Sequence, residues 1–182
     1  MRRVQSTAME LFTARGFNAV TIEEIAAAAD VSPRTVYRYF GTKEGLVLWD
    51  EIDLDIGDEL ARRLHFEDPI DATRNALVDS FAALEPAQEE ALLERTKFVY
   101  ETPEVHDAWW ATVQRGRTQL CDAYAIATGL SADHLSHDVT ARTCLAIVDA
   151  AIDAWQRADG ADTLAEVVAA AFDTLPATRS GA

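Results

Sequence analysis

The sequence predicts an all-α protein of about nine helices: a small N-terminal helix-turn-helix domain of three helices, then a larger helical bundle. Three observations predict it. Alanine is abundant, while Gly and Pro number only 8 and 5 among 182 residues, a composition that favours helix interiors. Apolar residues recur at three- and four-residue spacing along most of the chain, with no long run of β-branched residues. Ser, Thr and Pro stand at the points where that phase restarts. At 49% apolar the chain can build a core, yet no stretch approaches the length of a membrane span.

The chain is organised around residues 21–45, TIEEIAAAADVSPRTVYRYFGTKEG. Thr21 stands where an N-cap belongs and Glu24 follows three residues on, the capping-box spacing. Ile22, Ile25, Ala26 and Ala29 recur at helical spacing up to Asp30. Ser32 offers a second N-cap, with Pro33 at the first helical position, where its missing N–H costs nothing. Val36 and Phe40 share one face of this second helix. Arg34, Thr35, Tyr37, Arg38 and Tyr39 lie off that face and give long polar reach with little apolar area. Such side chains bond phosphate oxygens, and Arg reads guanine edges in the major groove. Gly41 breaks the helix, Thr42 caps the next, and Lys43 sets a cation beside its first amides. The plain alternative is a solvated helix hairpin; caps, turn, apolar anchors and polar face together favour helix-turn-helix geometry. Arg34, Thr35 and Tyr39 are then the candidate base contacts. Thr21, Ser32, Tyr37, Arg38 and Lys43 are the candidate phosphate contacts, and Pro33 completes the predicted DNA-binding set.

Ala8-Met9-Glu10-Leu11-Phe12, Gly16-Phe17, Thr21-Ile22, Ile25-Ala26, Val31-Ser32 and Tyr37-Arg38-Tyr39-Phe40 followed by Thr42-Lys43-Glu44 resemble the DNA-binding domain of the tetracycline-repressor (TetR) family. The resemblance covers about the first 50 residues without gaps. It implies an all-helical fold, a homodimer and DNA binding released by a ligand.

A net charge of −15 at first argues against DNA, but its distribution does not. Residues 1–49 hold six Lys/Arg and five Asp/Glu, whereas residues 50–182 hold ten and 26. The acidic body is repelled by a phosphate backbone and the N-terminal segment is not, so non-specific binding is weak and salt-sensitive.

Taken in order, helix one spans 2–15, with Val4, Ala8, Leu11 and Phe12 as its apolar stripe and Gly16 as its C-cap. Arg2 and Arg3 are in place to reach phosphate or the minor groove. Phe17 and Val20 pack under the hairpin. Residues 43–66 read as one long helix, with Leu46, Trp49, Ile52, Ile56 and Leu60 in phase and Asp50, Glu51, Asp53, Asp55, Asp58 and Glu59 outside. Gly57 inside it is read as a packing contact or a flex point. The domains are accordingly placed at 1–45 and 46–182. Pro69 opens helix five, Pro86 opens helix six to 101, and Thr102-Pro103 forces a stop and restart. Helix seven runs over 104–128, Gly129 ends it, and Ser131 caps helix eight over 132–158. Residues 144–155 are apolar except for Asp149 and Asp153, so that helix needs burial on more than one side. Helix nine, over 163–175, joins it. Leu145, Val148, Ile152, Val168 and Phe172 are the predicted dimer contacts in a four-helix interface, the alternative being a monomer core. Residues from Ala177 are expected to fray.

Tyr100-Glu101-Thr102-Pro103-Glu104-Val105, the Gly129-Leu130 turn and the run from Ala150 to Trp155 resemble the C-terminal domain of mycofactocin-type TetR regulators, associated with acyl-coenzyme-A-like ligands. That resemblance implies a long-chain acyl effector. Phe81, Phe98, Trp109, Trp110, Tyr124 and Trp155 are candidates to line its apolar site, with Arg95, Arg115 and Arg117 facing phosphates, although aromatics at helical spacing also serve as plain core.

Other chemistry is not signalled. His134 and His137 are three residues apart without a third ligand, and Cys121 and Cys144 have no metal or redox spacing and read as buried free thiols. No phosphate loop, nucleophile elbow or secretory signal is present, so neither catalysis nor a cofactor is expected. The expectation is a cytoplasmic homodimeric repressor that binds a pseudo-palindromic operator and is released by a small apolar effector. The alternative is a helical carrier or sequestering protein for acyl ligands that does not bind DNA.

Overall fold

The structure, a computed structural model, describes residues 1–49 and 56–175; among them are ten α-helices and no strand. The chain divides into two compact units, Met1–Asp53 with Lys97–Ala111 and Leu54–Thr96 with Thr112–Ala182.

In the first unit, α1 (Arg2–Arg15) buries Val4, Ala8 and Phe12, the stripe its spacing predicts. A 3-10 turn, Phe17–Ala19, follows and sets the Phe17 ring 5.0 Å from Phe12. α2 (Ile22–Ala28) and α3 (Pro33–Phe40) deliver Ile22, Ile25, Ala26, Val36 and Phe40 to the same core, and α4 (Lys43–Leu48) closes it with Leu46 and Val47. The sequence gives no sign that the end of α7 (Pro86–Glu101) and the start of α8 (Pro103–Thr128) complete this core. Val99 and Val105 are buried in it, and the Phe98 ring lies 5.9 Å from Phe12 and 6.2 Å from Phe17.

A single helix over 43–66 is not found. α4 ends at Leu48 and Trp49 is extended; the next described helix is α5 (Ile56–Arg63), with Leu64–Phe66 in a turn. Asp50, Glu51, Ile52, Asp53 and Asp55 lie outside the described residues. The physical reason for the break is Gln5 of α1. Its amide donates to the carbonyls of Leu46 (2.9 Å) and Trp49 (2.6 Å), which a continuing helix would pair with the amides of residues 50 and 53.

In the second unit, α6 (Pro69–Ala82) starts on Asp68, whose carboxylate accepts the amides of Ile70 and Asp71. It packs Leu77 and Phe81 against α9 (Leu135–Arg157) and α10 (Leu164–Phe172), where Cys144, Ala151, Trp155, Leu164, Val168 and Phe172 complete the core. α5 lies on α6 through Leu60, Ala72 and Ala76. Cys121 and Tyr124 of α8 pack on Ala141 of α9, and the buried Tyr124 hydroxyl is hydrogen-bonded to Thr73 Oγ1 at 2.7 Å. Both cysteines are buried free thiols, and burial pushes their pKa values up.

α9 starts at Leu135 rather than 132. His134, not Ser131, is its cap and accepts the Ser136 amide, while the Ser131 carbonyl is held by His137 Nδ1 at 3.0 Å. His137 Nε2 meets Thr128 Oγ1 at 2.9 Å, so this ring joins the two sides of the Gly129 turn. Among the described residues no helix is long and apolar enough to cross a membrane.

Two glycines have opposite constraints. A Cβ on Gly45 would stand 2.0 Å from the Phe40 carbonyl oxygen, whereas one on Gly57 meets nothing within 4 Å among the described residues. Gly45→Ala is expected to lower unfolding stability by about 2 kcal/mol or more, because a backbone group must move. Gly57→Ala is expected to raise it by roughly 0.5–1 kcal/mol through helix propensity. Urea unfolding of the two variants checks both signs.

Candidate nucleic-acid interface

The short hairpin of α2 and α3 is held by its ends. Thr21 Oγ1 accepts the Glu24 amide at 3.2 Å while the Glu24 carboxylate accepts the Thr21 amide at 2.9 Å, the predicted capping box. Arg15 reaches the same carboxylate at 2.8 Å. The Thr21 amide, with help from Arg15, lowers the Glu24 carboxyl from its usual 4.5 to about 2. At the other end of α2, Asp30 adopts a φ of 58°, the Val31 amide reaches the Ala26 carbonyl at 2.9 Å and the Asp30 amide the Ala27 carbonyl at 3.3 Å. This Schellman arrangement turns the chain into α3.

Ser32 then caps α3. Its Oγ accepts the Thr35 amide at 3.1 Å and lies 2.9 Å from Thr35 Oγ1, with Pro33 at the first helical position. Val36 and Phe40 anchor α3 in the core, and Gly41, at φ 71°, ends it. The opposite face carries Arg34, Arg38 and the half-buried Thr35, flanked by Tyr37 and Tyr39 at 48% and 52% exposure. The Arg38 guanidinium stacks over the Tyr39 ring at 4.8 Å. No acidic side chain occurs in α3, so this surface presents two cations and two phenols to solvent.

The nine residues singled out from the sequence therefore divide. Pro33, Arg34, Tyr37, Arg38 and Tyr39 are exposed. Thr21, Ser32 and Thr35 have their hydroxyls committed to helix caps. Lys43 Nζ donates to the carbonyls of Phe17 (2.7 Å) and Val20 (3.1 Å) and sits 4.3 Å over the Phe17 ring, which ties α4 to the 3-10 turn. Sequence pattern missed Gln5 and Gly45, whose roles depend on carbonyls contributed by other helices. It also missed Asn18, whose amide donates to Glu104 at 2.8 Å and holds that carboxyl below its usual range.

The six aromatics predicted to line one apolar site are distributed over separate cores. Phe98 and Trp109 pack into the first unit, Trp110 is 41% exposed with its ring edge-on to His106, Phe81 and Trp155 lie in the core of α6, α9 and α10, and Tyr124 lies in the α8–α9 cluster. Arg117 pairs with Asp138, which also binds Arg142 at 2.8 Å, and Arg115 donates to Thr112 at 2.8 Å. Arg117 also borders an open pocket of about 280 Å³ whose lining mixes Asp122, Asp133 and Asp138 with Ala132 and Leu135. Among the predicted dimer contacts, Leu145, Val148 and Ile152 are half-buried, but Val168 and Phe172 are interior to the chain's own core. The exposed side of α9 over this stretch carries Ala146, Ala150 and Ala154.

Comparison with known proteins places the chain in a family. Residues 5–48 match the family model of bacterial regulatory proteins of the tetR family, and residues 67–180 match the MftR C-terminal domain. The chain belongs to the TetR family. It is 29% identical over 181 residues to a Mycobacterium tuberculosis H37Rv protein named as the mycofactocin biosynthesis transcriptional regulator MftR, covering 96% of this chain and 88% of that one. An HTH-type transcriptional repressor of the same organism, Rv3405c, is 39% identical over 74 residues, 41% of this chain and 38% of that one. Among solved structures, a SmeT–triclosan complex superposes with a TM-score of 0.60 at 19% identity over 94% of this chain and 87% of that one, which shows the fold. Thermus thermophilus FadR, a TetR-family repressor in complex with lauroyl-CoA, gives 0.55 at 25% identity over 94% and 91%. This TetR-family protein is a DNA-binding transcriptional regulator and not an enzyme.

The capping box gives the hairpin a specific acid sensitivity. Because the Glu24 pKa is lower folded than unfolded, its contribution is fully present above about 4.5 and is lost as the pH falls towards about 2. Glu24→Gln is expected to flatten stability against pH across that window relative to the wild type, as followed by circular dichroism melts. Parallel profiles for the two proteins would show that titration of the Glu24 carboxyl does not contribute to stability.

Proposed function

We propose that the protein is a homodimeric, ligand-responsive repressor in the cytoplasm that places α3 of each subunit in the major groove of a pseudo-palindromic operator. The outward face of α3 carries this reading: two arginines and two tyrosines, with no acidic side chain in the helix, which is fixed at both ends. Arg34 and Thr35, with Tyr39, read bases; Tyr37 and Arg38 hold phosphates, with Thr21, Ser32 and Lys43 supporting the hairpin at the backbone. Two such helices bind half-sites about one helical turn apart or a multiple of it. The first unit acts as the DNA-binding unit and the second as the ligand-binding and dimerisation unit, so the boundary expected at 45/46 moves out of α4; the half-buried Leu145, Val148 and Ile152 of α9 lie at the partner surface with Val168 and Phe172 behind them.

The proposed effector is a long-chain acyl-CoA-like molecule. Support comes from the likeness to FadR in complex with lauroyl-CoA and from the match to the MftR C-terminal domain. Phe81, Tyr124 and Trp155 are the proposed apolar contacts within the second unit, and Arg95 the phosphate contact; Phe98 and Trp109 serve the core of the first unit. The effector releases DNA only by binding more tightly to a state with altered half-site spacing.

Fluorescence anisotropy on the DNA upstream of the protein's own gene, with and without a long-chain acyl-CoA, tests both parts. Tight, salt-sensitive binding that the acyl-CoA releases is expected. Binding indifferent to the acyl-CoA overturns the effector, and absence of specific binding, also to DNA selected from a random pool, overturns the repressor in favour of the carrier reading. Arg34→Ala is expected to cost roughly 1–3 kcal/mol on the operator and relax specificity at one position, as a lost bidentate guanine contact does. Tyr37→Ala is expected to weaken binding on every sequence alike.

A further inference from the structure

Thr35 occupies the outward face of α3 between Arg34 and Arg38, yet its hydroxyl is not available in the way theirs are. Ser32 Oγ accepts the Thr35 amide at 3.1 Å and stands 2.9 Å from Thr35 Oγ1, so one hydroxyl pair closes the cap of the helix. Turning Thr35 Oγ1 towards a base edge would break that pair and leave the cap with a single bond. Thr35 has one other group on Cβ, its γ-methyl, and χ1 of a β-branched residue is stiff once one substituent is fixed. The side chain is half-buried, consistent with the hydroxyl turned back to the helix start and part of the residue still open to solvent.

We infer that Thr35 reads DNA through its methyl group and selects a thymine over a cytosine or uracil at one position of each half-site. In the major groove the thymine C5-methyl is the apolar feature that marks a T·A pair, and a Thr methyl is a suitable partner for it. Its neighbours suit polar tasks, Arg34 at a base edge and Arg38 at a phosphate, because guanidinium groups donate hydrogen bonds and accept none. The helix thus carries polar donors beside an apolar reader, and the reader is held in place by the residue that caps the helix. This inference rests on the proposal that α3 enters the major groove.

The test uses duplexes selected by the full-length wild-type protein from random DNA, in which each thymine is replaced in turn by deoxyuridine. That exchange removes the methyl and leaves all base-pair hydrogen bonds intact. At one thymine per half-site the wild type is expected to lose about fourfold in affinity, the effect of one buried carbon. Thr35→Ser keeps the hydroxyl pair and removes the methyl, so it is expected to bind the two duplexes equally. Thr35→Val keeps a methyl and removes the hydroxyl, so it is expected to retain the discrimination even where a weakened cap lowers its overall affinity. Overturning results are a wild type insensitive to uracil at every thymine, a selected site without a shared thymine, or a loss that persists in Thr35→Ser. If no sequence is enriched at all, the major-groove reading falls first and the methyl readout falls with it.

Discussion

α3 has eight residues, and its shortness is the constraint on which the first unit depends. An isolated helix of that length is unstable in water, where about 12–15 residues are needed even in favourable sequences. Its helical form is therefore imposed from outside. The Ser32 cap fixes its start, Val36 and Phe40 fix its face, and the close approach of Gly45 to the Phe40 carbonyl lets α4 begin directly beyond it. Lys43 then fastens α4 to the 3-10 turn. Two of these contacts, those of Ser32 and Lys43, use residues that the sequence pattern assigns to DNA. The division of labour follows: the polar groups nearest the backbone build the helix, and the long side chains of Arg34, Tyr37, Arg38 and Tyr39 remain outside.

Charge refines this picture. The excess of Lys/Arg over Asp/Glu in residues 1–49 is only one, and the stretch Lys97–Ala111 adds Lys97 but also Glu101, Glu104 and Asp107 to the same compact unit. Positive potential is thus local to α3 and not a property of the unit as a whole. Such a protein has little general affinity for nucleic acid, and its binding depends on contacts that only a fitted duplex can make. The tie between Asn18 and Glu104 shows one of these carboxylates serving structure rather than standing against the DNA.

The hairpin was legible in the sequence because its determinants are local. Thr21 with Glu24, Ser32 with Pro33, and Val36 with Phe40 are separated by one to four residues, and each pair has a physical signature at that spacing. The break after Leu48 was not legible, since Leu46, Trp49, Ile56 and Leu60 keep helical phase and the residue that ends α4 is Gln5, 41 positions before Leu46. The role of residues 97–111 was hidden in the same way. Phe98 and Trp109 have the same apolar signature whether they face a ligand or the Phe12 and Phe17 rings, and only the packing decides. Val168 and Phe172 repeat the lesson in α10: apolarity predicted burial correctly but not whose core they fill.

The central claim is that the outer face of α3 is the surface that meets DNA. Amide hydrogen exchange by mass spectrometry, with and without a duplex selected by the protein, tests it most directly. The account predicts added protection in peptides spanning Ser32–Phe40 and the turn before them. Specific binding that leaves those amides unchanged while protecting another surface would contradict it.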